Sequence, residues 1–111
     1  MASQQRTIDH LVEQSSAAGT VAAKPMFGEF GVYVDGKMIG LVCDDQLFVK
    51  PTTSGRGHAE PVSEAPPYPG AKPHLLIGAD RWEDAGWLGE LLRITAAQLP
   101  TPKPRKPKQS I

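Results

Sequence analysis

The hydrophobic positions near the start of the chain follow a helical period. Within residues 4–18, four positions fall at the spacing of one helix face, namely Ile8, Leu11, Val12 and Ser15. Ser3 is a residue type that caps helix starts, and Gly19 is one that ends helices at positive φ. We therefore predict an amphipathic helix over residues 4–18 that packs its apolar stripe on a core.

The period of the pattern then changes to two, which is typical of strands with one buried face. Apolar residues alternate or cluster through residues 30–34, 39–43 and 47–49. Asp35-Gly36 and Asp44-Asp45 separate these segments and predict tight hairpin turns. The sequence therefore predicts a three-stranded antiparallel meander. We expect its buried face to include Ile39, Leu41 and Cys43.

Weaker patterns flank the meander on both sides. Residues 20–27 predict an edge strand or an extended lead-in, because Pro25 excludes a central strand. Residues 74–77 predict a further strand. A final helix is expected from Asp84 to about Gln98, with a start one turn earlier as the alternative. Two helices on one face of an antiparallel sheet make the predicted fold class α+β.

Proline marks the boundaries of these elements. Six of the eleven prolines lie within residues 51–73, and proline fixes φ and lacks an amide donor. We therefore expect a long loop over residues 51–73, which is either a partner-binding loop or a disordered segment. Its candidate contact residues are Arg56, His58, Glu60, Glu64 and Tyr68. The domain is expected to span residues 1–100.

The formal net charge of zero conceals an asymmetry along the chain. Residues 1–100 carry −4, whereas residues 101–111 carry +4 and form a Pro/Lys-rich segment that we call the basic tail. We expect the basic tail to be disordered. Its cations are Lys103, Arg105, Lys106 and Lys108. The net negative charge of residues 1–100 argues against a DNA-binding domain, so the basic tail supports only weak, non-specific contact with nucleic acid.

Composition and spacing argue against several kinds of chemistry. No apolar stretch approaches the roughly 20 residues that cross a bilayer, and the start lacks a secretion signal. Cys43 is the only cysteine, and His10, His58 and His74 lack metal-ligand spacing. The glycines between residues 28 and 40 lie within and between the strands of a meander. A phosphate-binding loop directly precedes a helix, and these glycines do not. We therefore expect a cytoplasmic protein with no cofactor, no metal and no membrane partner.

Residues 26–52 carry a recognisable motif, MFGEFGVYVDGKMIGLVCDDQLFVKPT. Together with Trp82, Trp87 and the helix after them, it resembles the N-terminal domain of the TfoX (Sxy) family of bacterial competence regulators. The resemblance implies an α+β fold similar to type III secretion chaperones. It also implies positive regulation of DNA-uptake genes together with the cyclic-AMP receptor protein. The competence regulators carry a second domain, whereas we expect this sequence to be a single-domain member.

The leading hypothesis is a small non-enzymatic interaction domain, an adaptor in transcription or competence control that binds another protein through its sheet. The candidate surface residues are Phe27, Glu29, Tyr33 and Lys50. Lys50 is included because a polar residue that ends an apolar strand has no evident structural role. Two alternatives stay open: an enzyme or small-ligand binder that uses residues 51–73 near Lys50, and a nucleic-acid-associated protein that uses the basic tail. A homodimer through a sheet edge is a further open expectation.

Overall fold

The computed structural model describes residues 3–99, so the basic tail lies outside the described residues. Within this range the strands are β1 (Val21–Met26), β2 (Glu29–Val34), β3 (Lys37–Cys43), β4 (Gln46–Val49), β5 (Ser63–Ala65) and β6 (His74–Ile77). They form one antiparallel sheet in the order β1-β2-β3-β4-β6-β5. The helices are α1 (Gln5–Gln14), α2 (Thr53–Ala59) and α3 (Ala85–Gln98). The predicted α+β fold class is confirmed.

Two-residue turns join the first four strands. Both residues have positive φ in Phe27-Gly28 (53° and 82°), Asp35-Gly36 (50° and 86°) and Asp44-Asp45 (55° and 60°). This geometry matches the right-handed twist of the flanking strands, which is why it dominates tight hairpins. The two predicted turns are confirmed, and Phe27-Gly28 adds a third. Pro25 lies in β1 at the sheet edge, where proline is tolerated.

The helices and one face of the sheet enclose a single core. Its strand residues come mainly from β2, β3, β4 and β6, and Ile8, Leu11, Leu88 and Leu91 contribute from α1 and α3. Trp82 is also buried, and its indole N–H donates to the Ile77 carbonyl at 3.1 Å. The opposite face of the sheet, which we call the open face, is not covered by α1 or α3.

A bulge in β3 decides which residues reach the core. Val32 pairs with Gly40 but Tyr33 pairs with Met38, so Ile39 is an extra residue in β3. An extra residue reverses the alternation of faces. Ile39 therefore stays in the core, whereas Leu41 pairs with Phe48 outside it and lies with Cys43 on the open face. Leu41 is buried as predicted, at 6% exposure, but it lies outside the main core cluster. The prediction that Cys43 is buried is wrong, because its side chain is only half-buried.

Residues 51–73 are not the predicted loop, because they contain α2 and β5. The Thr52 hydroxyl accepts a hydrogen bond from the Gly55 amide at 2.9 Å and caps α2. The prolines of this region all fall outside α2 and β5, so none of them breaks a helical or ladder hydrogen bond. Arg56 Nε donates to Glu64 Oε2 at 2.8 Å and links the two elements.

The ends of the first helix also differ from the prediction. α1 ends at Gln14, and a separate 3-10 turn follows at Ser16–Ala18. Ser3 does not cap α1; its amide instead donates to Glu29 Oε1 and its hydroxyl accepts from the Asp45 amide, both at 2.9 Å. The first residues are therefore tied to the hairpins of the sheet.

The last helix begins and ends as the sequence predicts. Asp84 caps α3, since its Oδ1 accepts from the Trp87 amide at 3.1 Å. At the other end, Lys37 Nζ donates to the carbonyls of Ala96 and Leu99 at 2.8 and 3.1 Å. Within residues 3–99, no helix combines the length and the apolar composition that a membrane crossing requires.

Candidate functional site: an apolar groove on the open face

A groove of about 450 Å³ lies at one end of the open face. We call it the Phe27 groove; it is lined by Met26, Phe27, Glu29, Leu41, Cys43 and Tyr68. These residues come from three adjacent strands, the β1-β2 turn and the segment that follows β5. Five of the six side chains are apolar, aromatic or thiol. The groove is therefore suited to bind apolar groups.

Phe27 is the most unusual residue of the groove. Its side chain is 93% exposed, and its φ of 53° is a conformation that bulky residues rarely adopt. Turns of this type favour Asn, Asp or Gly at this position, and the strain of another residue is about 1–3 kcal/mol. Neither burial nor turn chemistry accounts for a phenylalanine here. Tyr68, 50% exposed, is a second accessible aromatic side chain in the same groove.

Glu29 supports the groove through hydrogen bonds to its surroundings. Its Oε1 accepts from the Ser3 amide at 2.9 Å, and its Oε2 accepts from the Asp44 amide at 2.8 Å. Burial raises the pKa of Glu29, but the hydrogen bonds from Asp44 and Ser3 outweigh it and lower the pKa overall. Glu29 is therefore a carboxylate at neutral pH that holds the N-terminal segment and the β3-β4 turn together.

Cys43 is a half-buried thiol on the wall of the groove. Burial raises its pKa, and the negative charges of Glu29 and Asp44 raise it further. The thiol therefore stays protonated at neutral pH, and the thiolate is the nucleophilic form. This environment favours a packing role for Cys43 over a catalytic one.

The structure does not bring all four predicted surface residues together. Phe27 and Glu29 both line the groove, whereas Tyr33 lies further along β2, with Lys24 Nζ 5.0 Å from the centroid of its ring. Lys50 follows β4, where its amide donates to the Ile39 carbonyl at 2.8 Å and extends the ladder. Cys43 pairs with Gln46 at the opposite end of β4, and Lys50 is not among the residues that line the groove.

Four of the six groove residues are not among the predicted surface residues, namely Met26, Leu41, Cys43 and Tyr68. Leu41 and Cys43 were expected in the core, because no residue pattern marks the bulge at Ile39. Tyr68 was recognised only as a candidate contact in residues 51–73. The signal available in the sequence was Phe27 directly before Gly28, which places an aromatic residue where a tight turn favours Asn or Asp.

The three histidines lie apart and each has a different neighbour. His10 Nε2 lies 2.9 Å from Glu83 Oε2, and His74 Nδ1 lies 2.8 Å from the Lys72 carbonyl. The His58 ring stacks on Trp87 with centroids 5.5 Å apart. In the described part of the chain, no three His, Cys, Asp or Glu side chains are grouped so that they could hold a metal ion.

Fold and groove together define a small α+β domain with one helix-covered sheet face and one open face. The family model of the TfoX N-terminal domain matches residues 13–99, so the chain belongs to the TfoX N-terminal domain family. It is also 44% identical over 98 residues to an uncharacterized 12.7 kDa protein in the trpE 5′ region of Spirochaeta aurantia. That match covers 88% of this chain and 84% of the relative. The predicted resemblance is confirmed, and the family indicates a small, non-catalytic domain of regulatory type.

Proposed function

We propose that this domain is a non-enzymatic cytoplasmic adaptor that binds a segment of another protein in the Phe27 groove. The observation that carries the proposal is Phe27 itself, an exposed aromatic residue in a strained turn beside an apolar groove. Strained residues are retained where the surrounding structure uses them for function. Exposed aromatic anchors also supply much of the binding energy at protein interfaces.

The surroundings of the groove favour a partner segment that combines apolar residues with a lysine or arginine. Glu29 lines the groove, and Asp44 lies close enough for its charge to raise the pKa of Cys43. Asp45 completes the same turn, and its Oδ1 accepts from the Gln4 amide at 2.9 Å. A cation on the partner would complement these carboxylates, and charge complementarity of this kind selects partners and speeds association.

Family membership supports placing this binding in transcription or competence control. In that role the domain acts by holding a regulatory protein, and no catalysis by its own side chains is required. The raised pKa of the Cys43 thiol agrees with this, since a nucleophilic cysteine depends on a lowered one.

Capture from the cytoplasm of the source organism tests the proposal. Tagged wild-type chain, Phe27→Asn and Glu13→Ala would be incubated with nuclease-treated lysate, and bound proteins quantified by mass spectrometry. Glu13 is exposed on α1, away from the open face, and serves as the matched control. We expect one protein to be enriched by wild type and Glu13→Ala and reduced at least about tenfold by Phe27→Asn. Equal capture by Phe27→Asn would contradict the proposal, as would capture that does not persist with the purified partner.

A further inference from the structure

The basic tail has the chemistry that the Phe27 groove favours. Residues 100–108 read PTPKPRKPK, so prolines alternate with lysine and arginine. Such sequences favour the polyproline II conformation, and segments in that conformation bind grooves lined by aromatic side chains. Phe27 and Tyr68 supply accessible aromatic side chains. We propose that the basic tail binds in the Phe27 groove of its own molecule; this inference rests on the proposed function, because it assigns an internal occupant to the same groove.

Charge complementarity also favours this pairing. The basic tail carries +4 and residues 1–100 carry −4. Three of those carboxylates, Glu29, Asp44 and Asp45, lie in or beside the groove and are held near one another by the hydrogen bonds of Glu29 and Ser3. These carboxylates can therefore pair with the tail cations next to the exposed aromatic rings.

The tail is long enough to reach the groove within one molecule. The described chain ends at Leu99, whose carbonyl accepts from Lys37 Nζ at 3.1 Å, so the tail starts near the first residue of β3. The groove lies at the other end of β3, about 20 Å away at the rise of a strand. Passing from the helix layer to the open face adds about 10 Å. Residues 100–111 span about 37 Å in the polyproline II conformation and residues 100–108 about 28 Å, so the last residues of the tail reach the groove, and Lys106 and Lys108 come nearest to its carboxylates.

A tail tethered at this distance would regulate partner binding. Covalent attachment over so short a distance gives effective concentrations in the millimolar range, so even a weak contact keeps the groove occupied part of the time. A partner of the same chemistry would have to displace the tail. Neutralising the tail cations would then increase partner affinity without a change to the groove.

Paramagnetic relaxation enhancement in NMR spectra of the full chain tests this inference. A nitroxide label would be attached at Ser110→Cys in a Cys43→Ser background, so that it lies at one position only. We expect the strongest broadening at the amides of residues 27–29, 43–46 and 68. Two changes should each remove most of that broadening: Phe27→Asn in the groove, and glutamine at all four cation positions of the tail. Glu13→Ala is the control and should leave the broadening unchanged.

Three results would overturn the inference. Broadening confined to residues near the tether at residue 99 would show that the tail does not reach the groove. Broadening at the groove that survives both changes would show that neither the aromatic ring nor the charges are responsible. Broadening of an isotope-labelled chain by a spin-labelled second copy would assign the tail to another molecule. If any of these occurs while partner capture still depends on Phe27, only the tail inference fails. If capture no longer depends on Phe27, the proposed function fails as well.

Discussion

At the scale of single residues, Phe27 is where stability and the proposed binding make opposite demands. The β1-β2 turn requires positive φ at residue 27, and its side chain gains almost nothing from burial at 93% exposure. Asn-Gly is among the sequences that this turn geometry favours most. Phenylalanine at this position therefore costs stability, which is the expected situation for a binding residue.

We expect Phe27→Asn to raise the free energy of unfolding by about 1 kcal/mol, because asparagine relieves the strain of the left-handed conformation. Urea denaturation of wild type and variant measures this change. Phe27→Ala is the matched control, since it removes the ring but leaves a residue that does not favour positive φ. A gain in Phe27→Ala equal to that in Phe27→Asn would show that the ring, and not the backbone, is the source of the strain.

Glu29 gives the domain a specific dependence on pH. Hydrogen bonds lower its folded-state pKa below the unfolded value of about 4.3. The stability that these bonds contribute is therefore fully present above that unfolded value and is lost as the pH falls through the folded one. We expect the free energy of unfolding of Glu29→Gln to be lower than that of wild type at pH 7 and to approach the wild-type value at pH 3. Urea denaturation midpoints of both proteins at both pH values measure the difference. A loss of stability in Glu29→Gln that is equal at pH 3 and pH 7 would contradict this account.

At the scale of elements, α2 contains two glycines in contrasting surroundings, one crowded and one open. A Cβ at Gly55 would lie 2.8 Å from Thr52 Oγ1 and 2.9 Å from Thr95 Oγ1, and both hydroxyls are engaged in hydrogen bonds. A Cβ at Gly57 would have nothing within 4 Å. Gly55 therefore permits the close approach of α2 to α3, whereas Gly57 has no such role.

We expect Gly55→Ala to lower the free energy of unfolding by about 1–3 kcal/mol through overpacking. Gly57→Ala should raise it by about 0.5–1 kcal/mol, because alanine favours the helix. Thermal and urea denaturation of the two variants side by side measure both effects. Stabilisation by both substitutions would show that α2 does not pack on α3 as described.

The elements that the sequence predicted are those whose signals are local. Asp35-Gly36 and Asp44-Asp45 specify turns by their own conformational preferences, and Asp84 caps α3 through its own side chain. The bulge at Ile39 was not predictable, because it depends on pairing between β2 and β3. The proline density of residues 51–73 does not predict their regular structure, because α2 and β5 fit between the prolines.

The candidate site could be predicted only in part for the same physical reason. Phe27 and Glu29 are neighbours along β2 and its turn, so their proximity follows from the chain itself. Leu41 and Tyr68 meet them only through the bulge and the tertiary fold. Lys50 was chosen for its polarity at a strand end, and that property does not determine its distance from the groove.

At the scale of the whole molecule, the domain covers one sheet face with helices and leaves an apolar groove on the other. Its helices, turns and core account for stability without any contribution from the Phe27 ring. The exposed ring and the carboxylates beside it are what the groove offers to a partner. Under the proposed function, binding and folding are therefore separable in this chain, so that a variant can lose the first while improving the second.

The most direct test is the affinity of the captured partner, once purified, for wild type and for Phe27→Asn, measured by isothermal titration calorimetry. The account predicts that Phe27→Asn binds at least about tenfold more weakly, although it is the more stable protein. Because the variant is fully folded, that loss could not come from unfolding. Equal affinities for the two proteins would show that the Phe27 groove is not the binding surface.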